Sequence, residues 1–281
     1  MILGSTVSDG RSSAAEHVVI TGGSSGIGLA VARIYAARGA RVTLIARGQA
    51  ALDAAAATLR TLSPSASIGV QTADIADNAA VADALAQAEA RFGPCSILIA
   101  CAGVVTPARF DMLSSPDFDR QIAVNLIGTA NTIRAGLPGL RKAGGGRLMI
   151  VGSGAGLIGL YGYAAYCASK TALIGLAEAL RLELAEDGIS IGLCFPPDTE
   201  TPQLDQERHL RPAEAEIMMG KVAPWPAEKV ARRIVAAIDR RRATLFFTLE
   251  LALLGRLGAL LRPLLYVWFA RQITAYRRRR Q

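Results

Sequence analysis

Seven short apolar runs, each separated from the next by a helical stretch, confine this chain to one broad architecture. The runs span 17–21, 41–46, 68–73, 96–100, 147–152, 189–195 and 243–248, with helical stretches at 26–38, 49–62, 78–92, 119–142, 163–186 and 226–241. Strands alternating with helices in this way predict a parallel, doubly wound sheet joined by right-handed crossovers, an α/β class. A chain of 281 residues suits one such domain with additions. There is no internal repeat beyond the β–α rhythm, and the alanine-rich tract Ala50–Ala57 is a strong helix former.

The first unit carries a glycine loop. Val18 to Ile20 is a β-branched run suited to a buried parallel strand. After Thr21 come Gly22-Gly23-Ser24-Ser25-Gly26-Ile27-Gly28, and Ile27, Ala30, Val31, Ile34 and Tyr35 then form the apolar stripe of a helix. Glycines let the backbone turn tightly and approach a pyrophosphate, while the helix N-terminus offers N–H groups and the positive end of a dipole. The spacing Gly22-x-x-x-Gly26-x-Gly28 follows the logic of the dinucleotide fingerprint and not its letter. The expected domain, 17–248, is a single Rossmann-like doubly wound parallel sheet.

Tyr166-Cys167-Ala168-Ser169-Lys170 places a phenol and an ammonium one helical turn apart on one face. A free tyrosine has a pKa of about 10 and is a poor acid or base near neutrality. A neighbouring ammonium stabilises the phenolate and is expected to lower that pKa. A fall of ~3 units would take roughly 4 kcal/mol. Such a tyrosine donates a proton to a ketone that receives hydride, or accepts one in reverse. Ser153 lies upstream in the same half of the chain.

In order and spacing, the loop Thr21–Gly28, Asn125, Ser153, Tyr166 and Lys170 resemble the short-chain dehydrogenase/reductase family, over roughly residues 16–204. The resemblance implies Tyr166 as proton donor, Lys170 as pKa modulator and ribose ligand, and Ser153 as the group that orients the substrate carbonyl. Asn125 would hold a water in a proton relay. The cofactor would meet Gly22, Ser24, Ser25, Gly26, Ile27 and Gly28 at its pyrophosphate, with Asp74 and Ile75 near the adenine. Ala102 and Gly103 keep the family's loop after the fourth strand, where Ala100 and Cys101 stand in place of two usual asparagines.

The second strand ends at Arg47, and no acid follows before Asp53. NAD enzymes usually place a carboxylate here for the ribose 2′-hydroxyl. A guanidinium fork suits a 2′-phosphate instead, so the expected cofactor is NADPH. After the sixth strand the loop reads Phe195-Pro196-Pro197-Asp198-Thr199-Glu200-Thr201-Pro202, with Asp198 where the family usually has glycine. Pro197, Asp198 and Thr199 would lie over the nicotinamide. The loop resembles that of the 3-ketodihydrosphingosine reductases within the family, as do Gly159–Tyr166 and the Cys-Ala-Gly turn. That implies reduction of 3-ketosphinganine to sphinganine, a step of sphingolipid biosynthesis. Residues 203–225 would form a substrate lid, with Met218, Met219 and Trp225 able to line an acyl channel. Alternatives are another lipophilic ketone (steroid, retinoid or 3-oxoacyl), or a nucleotide-binding membrane scaffold, against which the intact Ser153/Tyr166/Lys170 set argues.

The net charge of +8 is unevenly placed. Residues 1–204 hold 15 Lys/Arg and 16 Asp/Glu, whereas 205–281 hold 16 and 7. The basic part is also very apolar, which speaks against nucleic acid. Residues 249–281 are leucine-rich, carry Tyr266, Trp268 and Phe269, and end in Arg277–Arg280. Their longest uncharged stretch, Pro263–Ala270, is shorter than the ~20 residues of a spanning helix. Pro263 is expected to divide the segment into two helices. The reading is a monotopic anchor on the cytoplasmic, inner face of a membrane, with aromatics at headgroup level and arginines on anionic lipid. A lid packed on the domain, or a dimer interface, is the other account of it.

Cys95, Cys101, Cys167 and Cys194 read as reduced core residues, and His17 and His209 have no ligand cluster around them, so no metal is expected. Residues 1–16 form a polar leader, expected to be disordered and not a secretory signal. The family implies a homodimer or homotetramer, with the helices around 119–142 and 163–186 pairing across an interface.

Overall fold

A computed structural model describes residues 16–220 and 222–279. The expected leader 1–16 therefore lies outside the described residues except for Glu16, whose carboxylate pairs with Arg147. Seven strands form one sheet: β1 (His17–Thr21), β2 (Arg41–Ala46), β3 (Ser67–Thr72), β4 (Ile97–Ala100), β5 (Arg147–Val151), β6 (Ser190–Phe195) and β7 (Thr244–Phe246). All neighbours pair parallel, in the order β3-β2-β1-β4-β5-β6-β7. The helices are α1 (Gly26–Ala37), α2 (Gln49–Leu62), α3 (Asn78–Phe92), α4 (Ser115–Ile122), α5 (Gly128–Lys142), α6 (Ala164–Glu183), α7 (Pro202–Leu210), α8 (Ala213–Met219), α9 (Ala227–Asp239) and α10 (Leu249–Arg278).

The sheet buries both faces, which is why its strands read as unbroken apolar runs. Val31 and Tyr35 of α1, Leu52 of α2 and Ile234 of α9 pack on one face with Val18, Ile20 and Leu44. Leu85 of α3, Ile133 and Leu140 of α5 and Leu173 of α6 fill the other with Val19, Leu98 and Ile150. Strand order reverses between β1 and β4, so a crevice opens at their carboxyl ends.

Four expectations differ from the structure. The single helix at 119–142 is instead α4, a wider π turn over Ala123–Ile127, and α5. One widened turn leaves the apolar periodicity almost intact, so the pattern does not betray it. The C-terminal segment is two helical stretches, as expected, but the break falls at Leu257 (φ −116°, ψ 15°) and not at Pro263. The two stretches together, Leu249–Arg278, are long and apolar enough to cross a membrane by length and composition alone. Finally, Trp225 lines no channel. It packs on the core against Phe247, with the Lys229 ammonium 3.8 Å above its ring.

Candidate active site

One cavity of about 1560 Å³ opens at the crevice. Its wall includes Gly22, Ser24, Ser25, Gly26, Ile27, Gly28, Arg47, Asp74, Ile75, Ala102, Gly103, Ser153, Tyr166, Lys170, Pro197, Asp198 and Thr199. The topology thus brings together the expected catalytic and cofactor residues except Asn125, which stands behind the wall.

The β1–α1 turn is shaped to receive a dinucleotide. Gly22 has φ +68°, and a Cβ on it would come within 2.8 Å of the Ala102 backbone. A Cβ on Gly28 would strike the Gly22 carbonyl. Ser25 occupies the N-cap of α1 yet makes no side-chain capping bond, which leaves the first N–H groups of the helix free for an anion. Asp74 accepts from the Ala76 N–H at 3.0 Å, which fixes the turn after β3 at the cavity edge. Arg47 is exposed at the end of β2 and makes no ion pair among the described residues. These features fit a nicotinamide dinucleotide: the turn and helix end would hold the pyrophosphate.

Tyr166 and Lys170 sit on α6, which places both at the cavity. Lys170 is buried, donates to the Val151 carbonyl at 3.1 Å, and lies 5.8 Å from the Tyr166 ring centroid. Burial pulls its ammonium down to about 8, with Cys101 and Cys194 opposing that fall. Tyr166 behaves oppositely to expectation. Burial pushes its phenol well above the usual value, the Ser153 hydroxyl pulls it back through a hydrogen bond, and the Glu207 carboxylate raises it further. The lysine ammonium is engaged by the Val151 carbonyl, and desolvation dominates the shift of the tyrosine. Ser153 is aimed by its own turn, accepting from the Ala155 N–H at 3.2 Å.

Asn125 spends its side chain on structure. Its Oδ1 accepts from the Val104 N–H at 2.8 Å, and its Nδ2 donates to the Val104 carbonyl at 2.9 Å and to Ser169 Oγ at 3.0 Å. The π turn presents it to the loop after Gly103, so it braces that loop against α6. Of the cysteines, only Cys101 is half-buried and reaches the cavity, and burial raises its thiol to about 11 against the pull of Lys170. It is an inert wall residue rather than a nucleophile.

Comparison with known proteins settles the family. The family model described as short chain dehydrogenase matches residues 16–211. The 3-ketodihydrosphingosine reductase of Bos taurus is 34% identical over 222 residues, covering 78% of this chain and 67% of that protein. A 3-dehydrosphinganine reductase of Arabidopsis thaliana is 37% identical over 257 residues, covering 90% and 77%. The chain belongs to the short-chain dehydrogenase family. Among solved structures, levodione reductase superposes with a TM-score of 0.76 at 26% identity, covering 82% of this chain and 95% of its own. This dehydrogenase is an oxidoreductase of ketone and hydroxyl groups that uses a nicotinamide cofactor.

The structure adds a network that sequence reading missed in this dehydrogenase. Arg211 Nη2 donates to Asp198 Oδ2 at 3.0 Å and to Glu207 Oε1 at 2.6 Å. The Tyr163 hydroxyl donates to the same Glu207 oxygen at 2.6 Å and accepts from Arg211 Nε at 3.1 Å. Tyr163 in turn packs edge-on against Tyr166, with ring centroids 6.3 Å apart. The network ties the 196–202 loop and α7 to the start of α6. Its one sequence signal is the Glu207/Arg211 pair, four apart on the predicted lid.

Proposed function

We propose that the chain reduces 3-ketosphinganine to sphinganine with NADPH on the cytoplasmic face of a membrane. The observation that carries the reading is the continuity of the cavity at the crevice. It joins Ser153, Tyr166 and Lys170 to a dinucleotide cradle at one end and to apolar side chains of α8 and α10 at the other. The named activity of the relatives supports it.

The cofactor supplies the hydride. In this reading Ser153 Oγ holds the ketone oxygen, and Tyr166 gives that oxygen its proton as negative charge develops there. Burial keeps the phenol protonated through neutrality, as a donor must be. Lys170, anchored to β5 through Val151, takes the ribose hydroxyls and presents positive charge to the site. Asn125 holds the 103–104 loop, and Pro197, Asp198 and Thr199 close over the nicotinamide. Arg47, free and exposed, takes the 2′-phosphate.

The outer face of α10 exposes Leu253, Leu257, Leu260, Leu264, Val267 and Trp268, which suits an interfacial helix lying on lipid. Assembly is taken to be a homodimer or homotetramer through α5 and α6, where Leu182 is exposed.

The deciding experiment is NADPH oxidation with 3-ketosphinganine in detergent micelles. The wild type turns over, and Tyr166→Phe loses at least about 10³-fold in kcat, in line with loss of a general acid. No turnover by folded, NADPH-binding wild type would overturn the substrate. Arg47→Ala should lose most of the preference for NADPH over NADH; an unchanged preference would move the 2′-phosphate elsewhere.

A further inference from the structure

The cavity is larger than one ligand needs. Its 1560 Å³ exceeds the roughly 300–1,000 Å³ of an ordinary small-molecule site. Beyond Tyr166 the extra space is bounded by Met218 and Met219 of α8 and by Leu251, Leu254, Leu265 and Phe269 of α10. Leu251 and Leu254 precede the kink at Leu257 and Leu265 and Phe269 follow it, yet all four line the cavity, and Gly258 is buried between them.

α10 is fastened over this space by polar contacts. The Gly159 N–H donates to Tyr266 Oη at 3.0 Å, which ties the helix to the loop just ahead of Tyr166. Arg277 Nη2 donates to Tyr161 Oη at 2.8 Å and to Glu214 Oε1 at 3.1 Å, which ties its end to the same loop and to α8. The opposite stripe is open, with Leu260 73% and Leu264 71% exposed. A soluble lid carries a polar outer face, and a free-standing anchor has no need of an inner face that walls a catalytic cavity. This helix has apolar groups on both sides, one toward the site and one away from it.

We infer that the inner stripe of α10, opposed by Met218 and Met219, is the binding subsite for the alkyl chain of the substrate. The carbonyl stands at Tyr166, and the chain lies lengthwise in the slot between α8 and α10. The occupant is a saturated hydrocarbon chain, because the slot is continuous with the reacting centre and Met218, Met219, Leu251, Leu254, Leu265 and Phe269 bound its length, while Glu216, Glu250 and Tyr276 are the polar groups that α8 and α10 add to the cavity wall. Methionine side chains adapt to such a chain without a fixed shape. This placement rests on the long-chain ketone reading above.

The test is a series of 2-amino-1-hydroxy-3-ketones of increasing chain length, assayed with NADPH in mixed micelles. In the wild type kcat/KM rises by about twofold to fourfold per methylene until the slot is filled. Leu265→Trp fills the slot, so the long-chain to short-chain ratio of kcat/KM falls at least tenfold. An unchanged ratio in a folded Leu265→Trp protein overturns the subsite. Should that variant not fold, the wild type is photolysed with NADP⁺ and a long-chain ketone bearing a terminal diazirine. Label within Leu249–Arg278 or on α8 supports the subsite, and label confined elsewhere overturns it. Wild type that labels on α10 without turnover retires the reductase reading and leaves the chain subsite standing.

Discussion

Lys170 shows how far one residue's chemistry depends on burial. Its ammonium is held at about 8 when folded, against 10.5 for the free group. Between those values the unfolded chain binds more protons than the folded one, so stability rises with pH across that window. Below it the folded protein carries a cost of roughly 3 kcal/mol, offset by about 1 kcal/mol from the Val151 hydrogen bond. Lys170→Met should therefore abolish turnover yet stabilise the fold by about 2 kcal/mol at pH 7. Urea midpoints check it: the gain should shrink near pH 10, and an unchanged or lower midpoint at pH 7 would contradict it. Glu207 gives a second outcome at this scale. Its carboxylate raises the Tyr166 phenol, so Glu207→Gln should shift the alkaline limb of kcat/KM to lower pH. A limb that stays in place or moves up would remove Glu207 from the tyrosine's surroundings. The Tyr-x-x-x-Lys spacing was legible in the sequence. The direction of the tyrosine's shift was not, because it follows from desolvation, which spacing along a helix does not report.

At the scale of elements, the strands were legible to within a residue or two at most ends, since two-sided burial writes itself as continuous apolar runs. The irregular parts were not. The π turn holding Asn125 and the bend at Leu257 each displace the backbone without disturbing residue type. The β1–α1 turn lies between these cases: its glycines announced a cradle, but the uncapped helix end appears only in the structure. That end supports a prediction. Asp at an N-cap accepts from the first-turn N–H groups and suits the helix dipole, with a typical gain of about 0.5–1 kcal/mol. Ser25→Asp should raise the melting temperature of the cofactor-free protein while weakening NADPH binding at least tenfold, because its carboxylate occupies the anion's donors. Tighter or equal NADPH binding, measured by fluorescence titration, would place the pyrophosphate elsewhere.

The whole molecule is polarised. The catalytic part is nearly neutral, and the excess positive charge lies beyond residue 204. The sequence showed that polarity, but Glu250, Arg256 and Arg262 fitted no single amphipathic face. The structure gives each its place: Glu250 at the cavity, Arg256 against the Phe246 ring, and Arg262 over Gly258. The helix has two apolar sides because it has two apolar neighbours, the cavity within and, in our reading, lipid without. Basic groups near an anionic surface each contribute about 1 kcal/mol, and burying one leucine about 1.5–3 kcal/mol. Binding to vesicles should therefore weaken with salt and with loss of anionic lipid. Leu260→Glu combined with Leu264→Glu should lower partitioning by about two orders of magnitude, read by flotation, with NADPH affinity in detergent checking the fold. If the double variant floats as the wild type does, the outer stripe does not meet the bilayer. The exposed leucines would then serve contact between copies of the chain, which the concentration dependence of its sedimentation would show.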